Sequence, residues 1–325
     1  MAPPPPRVCV TGAGGFIASW LVKLLLSRGY AVHATVRDPG LLAGASPENL
    51  RLFKADVLDD ATLTAAFAGR EGVFHTASPV PAEKHVDPEK EMMAPAVGGT
   101  KNVLEACSAA NVQKLVVVSS AATVCLNPTW PEDKIKDETC WSDKELCKQL
   151  GLWYCVAKIQ AEEMALEYGE QNGLHVVTVL PGVVVGPLLQ NVVLNTTMKV
   201  LRYIITGGPD TMNNKFWPLV HVHDVANALL LAYHKAEALV HVLCVRCRTP
   251  ASCLLQSSVR SYWNCECNNG SCCKFGLQND KLRSLGWKPR SLEETLVDGL
   301  EYLEKAGLLK EPCRLPYFYR VTAGE

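Results

Sequence analysis

The sequence predicts an α/β fold: a doubly wound parallel sheet with a smaller C-terminal lobe. Three observations carry that expectation. Strand-length apolar runs alternate with helical patterns through the first half, as in a parallel sheet covered on both faces. A glycine-rich turn, Thr11-Gly12-Ala13-Gly14-Gly15-Phe16-Ile17-Ala18, follows the apolar run Val8-Cys9-Val10 and opens the amphipathic stretch Ser19 to Ser27. Downstream, Tyr154 and Lys158 stand four residues apart in the segment LWYCVAK.

Taken in order, strands are expected at 7–11, 31–36, 51–54, 72–75, 114–119 and 175–180. Helices are expected between them at 15–28, 60–68, 95–110 and 152–172. After Pro181 the alternation weakens, and shorter pieces suggest a lobe that contacts substrate. Within it, 291–306 reads as a helix with Leu292, Leu296, Leu300 and Leu303 on one face. The expected organisation is an extended arm over 1–6, a dinucleotide-binding unit over 7–180, a substrate lobe interleaved with the sheet over 181–311, and a loosely attached tail over 312–325. Four consecutive prolines, Pro3 to Pro6, favour the arm. No internal repeat is visible.

At 325 residues and 48% hydrophobic content, the chain can bury a large core. A formal net charge of -1 gives no electrostatic case for nucleic acid or an anionic membrane surface. No apolar run reaches the roughly 18 residues of a membrane span, and 1–7 lacks the apolar core of a signal peptide. The expected compartment is therefore the cytosol. The 14 cysteines of so large a chain are then expected to be mostly free thiols.

The order strand, glycine turn, helix is the context in which a dinucleotide site is expected. Such a Rossmann-type turn leaves no side chain between the backbone and a pyrophosphate, and the free N–H groups of the helix start bind the anion. The end of the second strand selects the cofactor. An acidic residue there would bind the ribose 2′-OH of NAD; this chain has Arg37, a guanidinium suited to the 2′-phosphate of NADP(H), or else a solvated surface arginine beside Asp38. Asp56, after the third strand, either meets the adenine amino group or caps the helix that starts near Asp60. Reducing a carbonyl needs hydride on one side and a proton for the oxygen. A tyrosine with its ordinary pKa near 10 is a poor shuttle at neutral pH, and a lysine one turn along the same helix would stabilise its phenolate. Ser120, at the end of the fifth strand, is the hydroxyl expected to hold the carbonyl oxygen beside Tyr154. No metal is expected.

On these pieces the chain resembles the extended short-chain dehydrogenases/reductases, in particular plant cinnamoyl-CoA reductases and the related dihydroflavonol 4-reductases. The matching stretches are VCVTGAGGFIASWLVKLLLSRGY, ATVRDP, FHTASPV, VVVSSAATV, WYCVAK, LPGVVVGPLLQ and LGWKPRSLEETLVDGLEYLEKAGLL. The resemblance implies an NADPH-dependent reductase of a phenylpropanoid-type carbonyl, either an acyl-CoA thioester or a phenolic ketone. It implies that Gly12, Gly15, Phe16 and Ile17 cradle the pyrophosphate, that Arg37 takes the 2′-phosphate, and that Asp56 and Val57 face adenine. Thr76, Ala77 and Ser78 would lie along the cofactor, Pro181, Gly182, Val183 and Val184 would pass its carboxamide, and Thr197 would reach a phosphate. Ser120, Tyr154 and Lys158 would form the catalytic set, Lys158 also bonding the nicotinamide ribose. Cinnamoyl-CoA reductases resemble one another in an Asn-Trp-Tyr-Cys-Tyr-Gly-Lys stretch, where this chain has Leu152, Val156 and Ala157 in place of the asparagine, second tyrosine and glycine. Lys199 stands where those enzymes place a histidine, and 40–46 lacks their second basic residue.

Seven cysteines fall between Cys244 and Cys273. Cys244-x-x-Cys247 with Cys265-x-Cys267 admits structural zinc, but the second spacing is poor, and 249–271 shows no sustained amphipathic period. Family-like sequence resumes near Phe275, so a local frame shift, an altered splice product or real divergence would explain the stretch. Cys147 and Cys155 flank the catalytic region and would form either a reversible bridge or two buried thiols. His221-Val222-His223-Asp224 fits a strand ending at an Asp224 helix cap better than a metal site. His75 is expected to be packed, and Trp153 and Trp217 either stack an aromatic substrate or belong to the core. The rivals to a reductase are a nucleotide-binding protein with an impaired lobe and an epimerase of the same fold. The oligomeric state is left open.

Overall fold

The computed structural model describes residues 4–38, 48–80, 86–189, 194–206, 216–235, 240–245, 247–250 and 277–310, together with Pro316 and Tyr319. The chain runs β1 (Arg7–Thr11), α1 (Phe16–Ser27), β2 (Ala31–Val36), β3 (Leu50–Lys54), α2 (Asp60–Phe67), β4 (Gly72–His75), α3 (Gly99–Ala109), β5 (Lys114–Val118), α4 (Lys144–Gln149), α5 (Trp153–Asn172) and β6 (His175–Pro181). It continues through β7 (Val183–Val185), α6 (Thr196–Ile205), β8 (Phe216–His221), α7 (Val222–His234), β9 (His241–Cys244), β10 (Cys247–Pro250), α8 (Asp280–Ser284) and α9 (Leu292–Lys305).

The main sheet has seven strands in the order β3-β2-β1-β4-β5-β6-β9, every pair parallel. Alternation within each strand decides which layer it feeds. Val8, Val10, Val116 and Val118 point to one face, where they meet Leu21 and Leu25 of α1 and Val225 and Leu229 of α7. Cys9, Leu115 and Val117 point to the other, against Leu63 and Phe67 of α2, Val103 and Leu104 of α3, and Ala165 of α5. Strands apolar on both sides can only be central strands of a two-faced sheet. The chain order reverses between β1 and β4, and in such sheets the crevice at the strand ends there receives the ligand. A second sheet, β10-β8-β7, lies with α6 and α9 in the C-terminal lobe, whose core holds Val183, Val185, Met198, Leu201, Leu219 and Leu303.

Every predicted strand of the first half is present within a residue of its expected bounds. The helix expected over 95–110 begins earlier and differently: Glu89–Gly98 is wound as a π-helix with Pro95 inside, and α3 continues from Gly99. Pro95 has no N–H to give to an ordinary helical ladder, which is where wider turns arise. The helix expected over 291–306 is α9, held at its start by Ser291 and Glu294, each side chain bonding the other's backbone N–H.

One expectation is corrected. The cap of α7 is His221, whose Nδ1 accepts the His223 N–H at 3.2 Å; Asp224 lies inside the first turn and is drawn away by Arg290, which bonds it through its backbone N–H and its guanidinium. Of 312–325, expected as a tail, only Pro316 and Tyr319 are described: Pro316 is buried, and Tyr319, its N–H bonded to the Pro316 carbonyl at 3.0 Å, packs on the core of the C-terminal lobe. The cysteine-rich stretch lies mostly outside the described residues, apart from Cys244, a buried free thiol on β9. Among the described residues no helix is long and apolar enough to cross a membrane.

Candidate active site

The glycine turn joins β1 to α1 in the shape the sequence implies. Gly12 has φ +66, and a Cβ there would stand 2.9 Å from the Ala77 Cβ, so a side chain is excluded twice over. A Cβ on Gly14 would meet nothing within 4 Å, which leaves the outer side of the turn open. Gly15 caps α1 without a side-chain bond, and the first turn holds no acidic residue. The N–H groups of Phe16, Ile17 and Ala18 thus lie at the open end of the α1 helix dipole, the arrangement a pyrophosphate requires.

The loop after β4 is pinned against this turn. Thr11 Oγ1 accepts the N–H groups of Thr76 and Ala77 at 3.2 and 3.3 Å, and Thr76 gives its hydroxyl proton to the Thr11 carbonyl. Having accepted two amides, the Thr11 hydroxyl donates to His75 Nδ1 at 2.9 Å. Thr100 gives its own proton to the Ala96 carbonyl, so His75 Nε2 carries the hydrogen shared with Thr100 at 3.3 Å. His75 is therefore a neutral, packed tautomer, as expected, and burial together with the Lys158 charge holds its pKa down at about 3.

Other predicted cofactor residues fall along the same edge. Arg37 is exposed just past β2, and the Ala55 N–H bonds the Val36 carbonyl at 3.0 Å, which brings the end of β3 beside it. Asp56 does not cap α2. Its Oδ1 accepts the Leu58 N–H at 3.0 Å, and the cap position belongs to Asp59. Val57 packs on Gly99 of α3. Gly182 bridges β6 to β7, with Pro181, Val183 and Val184 in the flanking strands, and a Cβ on it would collide with the Pro218 carbonyl at 1.9 Å. Thr197 is engaged at the start of α6, where its Oγ1 donates to Asn195 Oδ1 at 3.2 Å.

Ser120, Tyr154 and Lys158 come together where β5 ends over α5. Ser120 is the N-cap of a short turn, Oγ accepting the Ala122 N–H at 3.2 Å, and its hydroxyl also bonds Tyr154. Burial pushes Tyr154 up to about 12, a shift the Ser120 bond partly offsets. One turn along, Lys158 is buried and gives a proton of Nζ to the Val118 carbonyl at 3.0 Å. Desolvation lowers its pKa to about 8, against the attraction of Glu162. Lys158 thus uses one of its N–H groups on the strand, and burial keeps the Tyr154 phenol protonated. A small cavity of about 10 Å³, room for about one water, lies against Lys158, lined also by His75, Ser78, Thr100, Ser119 and Glu162. Ser78 Oγ is buried there with no hydrogen-bond partner among the described residues, a polar atom left for a bound group.

Sequence reasoning missed three neighbours of this set. Glu162, four residues beyond Lys158, is buried and bonded to Ser119 and His241, each at 2.7 Å; the four-residue spacing was a signal for it. His241 arrives on β9 and Tyr319 from the C-terminal segment, and no local pattern announces either. Tyr319 lies near enough to Tyr154 and Cys155 that their charges would raise its pKa further above the value burial sets. Cys147 and Cys155 are buried free thiols in hydrogen-bond contact. Trp153 is half-buried in the cluster around Met92 and Ile159, and the Trp217 side chain lies outside the described residues.

A glycine turn at the β1–β4 crevice with a serine, tyrosine and lysine at the end of β5 defines a dinucleotide-binding oxidoreductase. The chain belongs to the NAD dependent epimerase/dehydratase family, whose model matches residues 8–243. It is 39% identical to cinnamoyl-CoA reductase 1 of Petunia hybrida over 322 residues, covering 94% of this chain and 95% of that one. Vestitone reductase from alfalfa (Medicago sativa L.) superposes with a TM-score of 0.75 at 29% identity, covering 93% of this chain and 99% of that one. A yeast methylglyoxal/isovaleraldehyde reductase complexed with NADPH gives a TM-score of 0.77 at 25% identity, covering 93% and 99%. The chain is an NAD(P)-dependent reductase of this family.

Proposed function

We propose that the chain uses NADPH to reduce a phenylpropanoid-type carbonyl, with hydroxycinnamoyl-CoA thioesters, reduced to the aldehyde, as the first substrates. The observation that carries this reading is the Ser120–Tyr154 hydrogen bond, one helical turn from Lys158. The 39% identity to a cinnamoyl-CoA reductase over nearly the whole chain supports the substrate class.

When bound, the reduced nicotinamide supplies the hydride. The backbone N–H groups of Phe16 and Ile17 hold the pyrophosphate, Arg37 meets the 2′-phosphate, and Asp56 and Val57 border the adenine. Thr76, Ala77 and Ser78 line the path towards the nicotinamide, Pro181 to Val184 flank its carboxamide, and Thr197 reaches a phosphate after turning from Asn195. Ser120 holds the carbonyl oxygen through its hydroxyl. Tyr154 gives that oxygen its proton as charge develops, a role suited to a phenol that burial keeps protonated. With a thioester, the thiohemiacetal so formed returns that proton to Tyr154 as its C–S bond breaks. The CoA sulfur leaves with the bonding pair and takes a proton from water. Lys158 holds the nicotinamide ribose and returns positive charge to the site as Tyr154 loses its proton.

A ketone of the flavonoid type is the second reading. It is favoured by the likeness to vestitone reductase and by Leu152, Val156, Ala157 and Lys199, which depart from the cinnamoyl-CoA reductase pattern. A panel of hydroxycinnamoyl-CoA esters, dihydroflavonols and simple aldehydes, with NADPH oxidation as readout, separates the two. Preference for the esters supports the first reading and preference for the ketones the second. Tight NADPH binding without reduction of any member contradicts both and favours a catalytically impaired nucleotide-binding protein, whereas nucleotide retained through purification with no net consumption favours an epimerase.

A further inference from the structure

Lys158 is a charge in a dry place. Its Nζ has the Val118 carbonyl as acceptor, and the groups around it come from every adjoining element. His75 and Ser78 face it from β4 and the loop beyond, Thr100 from α3, Ser119 from β5, and Tyr154 and Glu162 from one turn before and after on α5. His75 is neutral, since Thr11 and Thr100 fix its tautomer, and Ser78, Thr100 and Ser119 carry no charge. Tyr154 is protonated. Glu162 is thus the remaining source of negative charge among these groups.

The pairing of Glu162 decides whether that charge is available. Its Oε2 accepts the Ser119 hydroxyl and its Oε1 meets His241 Nδ1, each at 2.7 Å. His241 Nε2 is buried with no hydrogen-bond partner among the described residues, and its ring stacks on Trp141 at 4.9 Å. A bare ring nitrogen tolerates such a site far better than an unmet N–H of an imidazolium. The contact with Glu162 Oε1 therefore places a hydrogen on His241 Nδ1, pointing at the carboxylate. Ser119 and His241 thus fix both oxygens of Glu162 on the wall of the cavity it shares with Lys158, and its attraction acts to keep the proton on Lys158. The spacing is the i, i+4 step that brings side chains together on one helix face.

We propose that Glu162, held by Ser119 and His241, is a positioning residue that keeps Lys158 an ammonium at working pH. The inference rests on the catalytic reading of Lys158 above and adds to it the device that sets its charge state. Desolvation alone would drive Lys158 towards the neutral amine, which can neither hold the ribose as a cation nor balance the Tyr154 phenolate.

The test follows the Lys158 side chain directly, with turnover as a second readout. In the full chain labelled with 15N-lysine, the Lys158 signal, assigned by its loss in Lys158→Met, is titrated by NMR. Glu162→Gln is expected to lower its midpoint by about one to three pH units, and the alkaline limb of kcat/KM for carbonyl reduction is expected to move down with it. Glu163→Gln removes a carboxylate from the same helix that bonds Lys144 instead, and is expected to move neither. His241→Leu strips Glu162 of the donor that holds its Oε1 in place, so it is expected to act in the same direction as Glu162→Gln and covers the case in which that variant does not fold. A folded Glu162→Gln or His241→Leu protein with an unshifted Lys158 midpoint overturns the proposal. Failure of both to fold overturns it as well, by making the pair architectural. If wild type binds NADPH yet reduces no carbonyl, the catalytic reading falls, while the Lys158 titration still decides the role of Glu162.

Discussion

The hydroxyl of Tyr154 is hydrogen-bonded to Ser120, and Ser120 Oγ at the same time accepts the Ala122 amide at 3.2 Å. The serine is therefore oriented by the backbone before any substrate arrives, and it presents a hydroxyl to the same point as the phenol. Preorganised donors of this kind cost no reorientation at the moment of reaction.

Ser120→Ala removes both bonds, and the two losses can be read separately. The cap is worth about 1 kcal/mol, which thermal unfolding would register as a small drop in Tm. Loss of a donor to the developing oxyanion is expected to lower kcat by about a hundredfold or more, with NADPH affinity nearly unchanged. A kcat within a few-fold of wild type would remove Ser120 from the chemistry.

Gly12 sits at φ +66, against Ala77. Gly12→Ala adds backbone strain of about 1–2 kcal/mol and pushes the 76–78 loop off the turn. Both should weaken NADPH binding, measured by quenching of tryptophan fluorescence. Gly14→Ala, whose Cβ points into open space, is expected to be the milder change for folding, so the two separate strain from contact with the cofactor.

Arg37→Glu places a carboxylate where the 2′-phosphate is expected. Loss of a charge-assisted bond worth about 1.5–3 kcal/mol should raise the Kd for NADPH roughly ten- to a hundredfold, and should change that for NADH far less. Equal effects on the two would show that Arg37 is only a solvated surface arginine.

Burial holds His75 at about 3 and His221 at about 4, both below the ordinary value of 6.5. Below 6.5 the unfolded chain takes up protons that these folded histidines refuse. Their stabilising contribution is therefore fully present above pH 6.5 and is lost as pH falls towards the folded values. The slope is about 1.4 kcal/mol per pH unit for each histidine. Urea unfolding between about pH 5 and 7 should show this fall, and His75→Asn should flatten it.

How much of this was legible in the sequence follows the range of each interaction. The strands were readable because alternation such as Val8-Cys9-Val10 feeds two layers, and the Tyr154–Lys158 pair because one helix carries both residues. The adenine-side choice at Asp56 was open because its partner, the Leu58 amide, belongs to a turn too short to show a pattern. Asp224 looked like a cap until Arg290, 66 residues away, claimed it. His241 and Tyr319 reach the site from the last sheet strand and from beyond the last helix, a juxtaposition that only folding creates. The spacing that pairs Tyr154 with Lys158 is silent on the Val118 carbonyl that Lys158 also bonds, a contact made across 40 residues.

The central claim is that Tyr154 protonates the carbonyl oxygen. It is tested most directly by Tyr154→Phe, with NADPH oxidation by hydroxycinnamoyl-CoA esters and NADPH affinity measured side by side against wild type. The account predicts turnover lower by about a hundred- to ten-thousand-fold, with cofactor binding nearly intact. Turnover equal to wild type in a variant that binds NADPH normally would contradict it.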